Sequence, residues 1–124
     1  MAEAIVRPEK GFRKLLVWQK AHQLVLMIYK LTESFPKIEL FGLTSQMRRA
    51  AVSVTANMAE GYAAGTKRQI ARFLDIAQGS LAEVEYYLNL SRDLCYITNA
   101  QSQEAEKSRG EVGFLLYRLI KSLD

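Results

Sequence analysis

The sequence predicts an all-α fold, an antiparallel up-down-up-down four-helix bundle, from three observations. Apolar residues recur every three or four positions over most of the chain, which is the spacing of one helical face. The two prolines, Pro8 and Pro36, leave long stretches in which helices can run without interruption. Short turns with capping signals separate these stretches, so we expect consecutive helices to pack side by side.

A chain of 124 residues is long enough for one domain to bury a core without disulfides or metal. We predict an N-terminal arm over residues 1–11, where no periodic pattern is visible, and a single bundle domain over 12–124. The one cysteine, Cys95, excludes an intramolecular disulfide and is expected to be a small buried residue. The longest apolar run, residues 24–29, is too short for a membrane span, and the first residues lack the apolar core of a signal peptide. The expected location is the cytoplasm.

The first helix is predicted over residues 15–34, and Pro36 ends it because the residue before a proline avoids helical angles. In the following loop Ile38, Leu40 and Phe41 are expected to fold back onto the end of the bundle. The residues that define the inward face are Val17, Ala21, Leu24, Ile28, Leu31 and Phe35.

The second helix is predicted between Thr44, which can cap its start, and Gly61, which can end it. Its many alanines make it thin, so we expect it at the centre of the bundle. One face is apolar, and a second stripe is polar: Gln46, Arg49, Ser53, Asn57 and Glu60.

The third helix is predicted to start with a capping box of Thr66 and Gln69 and to continue to about Tyr96. Its heptad seam consists of Ile70, Leu74, Ala77, Leu81, Val84, Leu88, Ser91 and Cys95. A second apolar line consists of Phe73, Ile76, Tyr87, Leu90, Leu94 and Ile97. Two lines on one helix favour self-association, with the second line packed on another subunit. The alternative is that the second line only widens one buried face.

The fourth helix is predicted over residues 99–123, after a capping box of Thr98 and Gln101. Its inward face consists of Ala105, Val112, Leu116, Leu119 and Leu123.

The net charge of +4 is unevenly placed. Residues 41–72 carry five cations against one carboxylate, whereas residues 73–99 carry four carboxylates against one cation. This asymmetry is compatible with a polyanion that is held through its phosphates. The alternatives are ordinary solvated faces and salt bridges between subunits. The candidate nucleic-acid-binding residues are Arg48, Arg49, Lys67, Arg68 and Arg72.

A second candidate set is polar and expected to be buried: Ser53, Asn57, Glu60, Ser80 and Glu83. Buried carboxylates need partners, so Glu60 and Glu83 are expected to pair with Arg49, Arg72 or backbone amides. We interpret the set as a network that fixes helix register, with a pocket lining as the alternative. His22, the only histidine, has no carboxylate partner in a catalytic or metal-binding spacing. We predict no enzyme activity, no cofactor, no metal site and no small-molecule substrate.

Four stretches, LLVWQKAHQL, LTESFP, FGLTSQMRRAAVSVTANMAEG and RFLDIAQGSLAEVE, resemble a bacterial four-helix-bundle family. Its members were first noticed as products of intervening sequences within large-subunit ribosomal RNA genes. The resemblance covers residues 12–98. The family pattern falls on Trp18, Phe41, Gly42, Thr44, Ser45, Gln46, Arg48, Arg49, Asn57, Glu60, Gly61, Phe73, Gly79, Ser80 and Glu83.

The resemblance implies antiparallel bundles that assemble as a homopentamer without catalytic activity. It also implies kinship in fold with the basic accessory protein of diversity-generating retroelements, which works with nucleic acid. Relatives often place an arginine and a serine in the turn where this chain has Ala63, Ala64 and Thr66. The chain also departs at Gln69 and Tyr86, where relatives often have glutamate and threonine. The leading hypothesis is an oligomer that binds RNA or a ribonucleoprotein weakly; the alternative is a structural or adaptor oligomer with a protein partner.

Overall fold

A computed structural model describes residues 11–124 of the chain. This part consists of four α-helices and two short 3₁₀ helices, at Gly11–Lys14 and Lys37–Glu39, and contains no strand. The helices are α1 (Leu16–Thr32), α2 (Leu43–Ala64), α3 (Lys67–Asp93) and α4 (Asn99–Lys121). The expected all-helical class and the number of helices are therefore confirmed. The predicted N-terminal arm falls almost entirely outside the described residues, and Gly11 already belongs to the first 3₁₀ helix.

Each helix packs against two others: α1 against α2 and α4, and α3 against α2 and α4. The expectation that α2 lies at the centre is wrong, because no Cα atom of α2 lies within 8 Å of one in α4. The alanines of α2 instead allow a close approach to α3 along its whole length. Met47 meets Ser91, Ser53 meets Ser80, and Gly61 meets Phe73, so the numbering falls along α3 as it rises along α2.

One cluster of buried apolar side chains takes residues from all four helices. The predicted faces supply most of it, because their spacing keeps the same side of each helix inward. On α3 the heptad seam is buried from Leu74 to Ser91. The fully enclosed large side chains include Leu24, Ile28, Met47, Met58, Leu74, Leu88 and Leu116.

The boundaries of α2 differ from the prediction at both ends. Thr44 is buried inside the helix and does not cap it. The Leu43 amide at the start of the helix instead donates a hydrogen bond to the Glu39 carboxylate at 3.1 Å. At the other end Gly65 adopts a left-handed φ of 85° and stops the helix. Gly61 lies one turn earlier and is needed for packing, since a Cβ placed on it would lie 2.9 Å from Phe73 Cβ.

Two segments expected to be buried are exposed. Ile38, Leu40 and Phe41 do not fold back onto the bundle, and Phe41 is 91% exposed. Helix α3 ends at Asp93 rather than near Tyr96, so Cys95 leaves the heptad seam with a left-handed φ of 63° and is exposed. A seam predicts burial only while the helix continues, and here it stops before its last member.

Two threonines cap helices as predicted. Thr98 and Gln101 form the complete capping box of α4, with both reciprocal hydrogen bonds present. At α3 the Thr66 hydroxyl accepts from the Gln69 amide at 3.2 Å, but the glutamine side chain turns to the Thr66 hydroxyl instead of its amide. The α3 box is therefore only half formed.

Candidate nucleic-acid interface

The start of α3 presents the densest group of exposed cations predicted from the sequence. Gly65 reverses the chain and Thr66 caps the new helix, so Lys67 and Arg68 lie in its first turn. The free amides of a helix N-terminus give that end a partial positive charge, which adds to the charge of the side chains. The first turn contains no acidic residue to offset it.

Arg68 and Arg72 lie one turn apart and line an open depression of about 690 Å³ with Gln69, Phe73 and Ile76. Lys67, Arg68 and Arg72 are all exposed. Within residues 11–124 none of the three makes an ion pair. Their charge is therefore available to an anion in solvent.

The two arginines of α2 have different environments. Arg48 donates from Nε to the Thr32 hydroxyl at 2.9 Å, and its guanidinium lies 4.6 Å from the centroid of the Tyr29 ring. It is half-buried and holds α1 to α2. Arg49 is exposed and points into a groove. Both arginines line this groove, but Arg49 is the more exposed of the two.

The five candidate cations do not form one site. From Arg49 to the end of α2 at Ala64 the helix rises by about 22 Å. Lys67 and Arg68 follow directly after that end. The structure thus separates Arg49 from the cations at the start of α3, although the sequence places them in one basic segment.

Arg49 lines a groove of about 670 Å³ along the outer side of α2. Ser53 and Asn57 also line it, as in the pocket alternative given for the predicted polar set. Sequence reasoning missed the apolar part of its lining, because it expected Phe41 to fold back onto the end of the bundle. Exposed Phe41 and Val52 contribute its apolar part, and Ser45 and Asn57 contribute polar atoms. The full lining is Tyr29, Leu40, Phe41, Thr44, Ser45, Arg48, Arg49, Val52, Ser53, Ala56 and Asn57.

Three of the five residues in the predicted polar network come together. The Ser53 hydroxyl lies 2.8 Å from the Ser80 hydroxyl, and the Asn57 side-chain amide donates to both the hydroxyl and the carbonyl oxygen of Ser53 at 2.8 Å. All three side chains are half-buried. Glu60 and Glu83 are exposed, and between residues 11 and 124 neither makes an ion pair or a side-chain hydrogen bond. The expectation that the two carboxylates are buried is wrong, because solvent hydrates them where they lie.

An ion cluster between α3 and α4 was not predicted. Arg109 donates from Nε and Nη2 to the two carboxylate oxygens of Glu106 at 2.8 and 2.6 Å, and Nη2 lies 3.9 Å from Glu85. The hydrogen bonds to Glu106 raise the pKa of Arg109, and its partial burial opposes this shift. Glu106 is three residues before Arg109, which is the spacing that could have indicated the pair.

The residues considered for chemistry are isolated. His22 is exposed and stacks on Trp18, with ring centroids 5.5 Å apart. Among residues 11–124 no group of three His, Cys, Asp or Glu side chains could hold a metal ion. No helix in the same part of the chain is long and apolar enough to cross a membrane.

The protein is a helical bundle with one apolar core that takes side chains from all four helices. Its candidate site is the group of exposed cations at the start of α3. Comparison with protein families gives a more specific result. The chain belongs to the 23S rRNA-intervening sequence protein family, whose model matches residues 13–118. The resemblance carried by the FGLTSQ and RRA stretches is therefore confirmed.

A solved structure from Bacteroides thetaiotaomicron, a protein of unknown function from the S23 ribosomal protein family, is similar to this chain. The two share 27% identity with a TM-score of 0.79. The similarity covers 86% of this chain and 96% of the other. No curated protein matches the chain.

Proposed function

We propose that this protein is a non-enzymatic helical bundle that assembles with copies of itself and binds RNA or a ribonucleoprotein weakly. The observation that supports it most is the exposed cation group Lys67, Arg68 and Arg72 at the N-terminus of α3. The family name gives large-subunit ribosomal RNA as the genetic context of relatives. Contacts of this kind would meet phosphates and would not read bases.

We further propose the antiparallel up-down-up-down topology and a homopentamer. The predicted second apolar line remains partly uncovered at Ile76 of α3, which is 44% exposed, and at Leu94, which follows the end of α3 and is 45% exposed. Packing these side chains on another subunit would remove them from water. Assembly would also repeat the cations of α3 in each subunit, so a modest charge would become an extended field. The cytoplasm remains the proposed location.

The second candidate is a structural or adaptor oligomer with a protein partner. The groove along α2 favours it, because almost fully exposed Phe41 and the exposed Arg49 both line it. Aromatic residues and arginines are enriched at protein interfaces. Charge reversal at Arg49 tests this candidate more cleanly than reversal at Arg48, which would also break the contact of α1 with α2.

The test is a titration of a labelled single-stranded RNA with the full chain at several salt concentrations. We expect affinity to fall on the order of tenfold between about 50 and about 200 mM salt, since each neutralised phosphate releases a counterion. The double variant Arg68→Glu with Arg72→Glu should bind at least tenfold more weakly. The matched control, Lys30→Glu with Lys37→Glu, makes the same charge change at exposed positions away from α3 and should bind as the wild type does.

Absence of binding at low salt, or an affinity that does not depend on salt, would overturn the RNA proposal. Light scattering measures the mass of the assembly and therefore the number of subunits. The chain has a mass of 14.1 kDa, and a pentamer would have about 70 kDa. Dissociation of the oligomer by Arg49→Glu would support the adaptor candidate. An intact oligomer that loses RNA binding on Arg68→Glu with Arg72→Glu would support the first.

A further inference from the structure

The C-terminal half of α4 carries two aromatic side chains that are more than half exposed. Phe114 is 60% exposed and Tyr117 is 52% exposed. They lie three residues apart, so both rings stand on the same side of the helix. Two neighbouring exposed rings form a larger apolar patch than a single ring does, and contiguous exposed patches mark interaction sites.

Each ring is accompanied by its own cation. The guanidinium carbon of Arg118 lies 5.7 Å from the centroid of Phe114, and Nζ of Lys121 lies 5.7 Å from the centroid of Tyr117. Both cations are exposed, and within residues 11–124 neither makes an ion pair. The nearest carboxylate earlier on this helix, Glu111, lies 3.7 Å from Lys20 instead. The surface therefore combines half-exposed rings with exposed positive charge.

The contacts of α4 with α3 place this surface at the same end of the bundle as the start of α3. Arg109 lies beside Glu85, and a Cβ on Gly113 would lie 3.4 Å from Leu81. Continuing this register brings Tyr117 level with Ala77 and Lys121 level with Phe73. Phe73 follows Arg72 directly in the chain. Along the bundle axis Tyr117 is thus between one and two helical turns from Arg72, and Lys67 and Arg68 lie further along α3.

We propose that Phe114 and Tyr117 form a stacking platform for unpaired bases of single-stranded RNA, while Arg118 and Lys121 neutralise the adjoining phosphates. This inference rests on the RNA binding proposed above and names the form of RNA that is bound. Every base offers a flat face, so such a platform accepts a strand without reading its sequence. Bases inside a duplex are already stacked on each other and do not reach the rings. A polyanion fits this surface better than an apolar protein face does, because every ring is paired with an exposed cation.

The experiment compares two probes of equal length and charge, a single-stranded oligouridylate and the same backbone with abasic residues. We expect the wild type to bind the oligouridylate more tightly. Phe114→Ala with Tyr117→Ala should weaken oligouridylate binding on the order of tenfold or more and leave abasic binding within about twofold, because only stacking is removed. Phe114→Trp with Tyr117→Trp should retain or increase the preference for bases. The matched control, Leu26→Ala with Ile38→Ala, truncates two exposed apolar side chains elsewhere and should change neither affinity.

The two probes separate this inference from the proposed RNA binding. If the wild type binds both probes equally, and Arg68→Glu with Arg72→Glu abolishes this binding, the platform is overturned and the phosphate contact is retained. The platform is also overturned if alanine at 114 and 117 weakens both probes equally while the mass by light scattering falls, which would make the face a subunit interface. A wild type that binds neither probe at low salt overturns both proposals.

Discussion

The hydroxyl of Ser53 on α2 lies 2.8 Å from the hydroxyl of Ser80 on α3, near the middle of both helices. Asn57 completes the group by donating to Ser53 from one turn further along α2. Hydroxyls that pair across two helices disfavour a shift of one helix along the other, because a shift would leave partly buried oxygens without partners. The polar stripe of α2 therefore sets its register against α3.

Alanine substitutions should show that Ser53 and Ser80 act as a pair. Each single change should lower the free energy of unfolding by about 0.5–1.5 kcal/mol, and the double change should cost less than the sum of the two. Urea unfolding followed by fluorescence of Trp18, the only tryptophan, measures this. The control is Thr55→Ala, since the Thr55 hydroxyl bonds only to a carbonyl of its own helix. Additive losses at 53 and 80 would contradict the pairing.

Gly61→Ala should destabilise the protein by about 1–3 kcal/mol, because the added methyl would meet the Cβ of Phe73 rather than a flexible side-chain end. The matched control is Gly110→Ala, where a Cβ meets nothing within 4 Å. Gly110→Ala should stabilise by up to about 1 kcal/mol through helix propensity alone. Thermal unfolding of both variants separates packing from propensity. Equal effects at the two glycines would show that α2 and α3 are not in close contact at Gly61.

Arg48→Ala should lower the free energy of unfolding by about 1–2 kcal/mol, since it removes a charged hydrogen bond to buried Thr32 and the contact with the Tyr29 ring. Arg49→Ala should change it by less than about 0.5 kcal/mol, because Arg49 is exposed. Arg49→Ala is the control, because it removes the same charge at the adjacent position. If urea unfolding gave the two variants the same stability, Arg48 would not hold α1 to α2.

Tyr96 should make the stability of the protein depend on alkaline pH. Its phenol donates to the Glu39 carboxylate at 2.8 Å, and this hydrogen bond, with desolvation and the charge of Glu39, raises the pKa of Tyr96 above its ordinary value of 10.0. The neutral phenol is thus favoured in the folded state, so its contribution is complete below about pH 10 and is lost as the pH rises through the raised pKa.

The measurement compares urea midpoints of the wild type and Tyr96→Phe at about pH 9 and about pH 11. At the lower pH we expect the wild type to be more stable than Tyr96→Phe. At the higher pH this difference in stability between the two proteins should be smaller. Tyr62, whose pKa is also raised by burial, is present in both proteins and cancels in the comparison. A difference that stays constant between the two pH values would contradict the Glu39 contact as its cause.

Local patterns predicted the helices well and their ends less well. Spacing identified the buried seam of α3 from Leu74 to Ser91, and the Thr98 capping box was correct in full. The ends of α2 were wrong because two glycines near its C-terminus are both compatible with a helix stop. The close approach of Phe73 explains why position 61 is a glycine inside the helix, whereas Gly65 has the left-handed φ that ends it.

The candidate site was predicted residue by residue but not as an arrangement. The sequence identified Arg48 and Arg49 as equivalent neighbours, whereas a helix turns by about 100° between them and gives one to Thr32 and the other to solvent. It also grouped Glu60 and Glu83 with Ser53, since all lie on polar stripes. The degree of burial along a stripe depends on which helix packs where, and the spacing alone does not contain that information.

The sequence by itself determined the helical class, the family and the inward faces, because these depend on residue type and on a period of 3.6 residues. The tertiary structure alone decided that α2 is not central, that Arg48 is a packing residue, and that the rings of α4 lie at the same end as the cations of α3. These facts depend on distances between residues far apart in the chain. Such distances are set when whole helix faces pack together, and no local stretch of sequence specifies them.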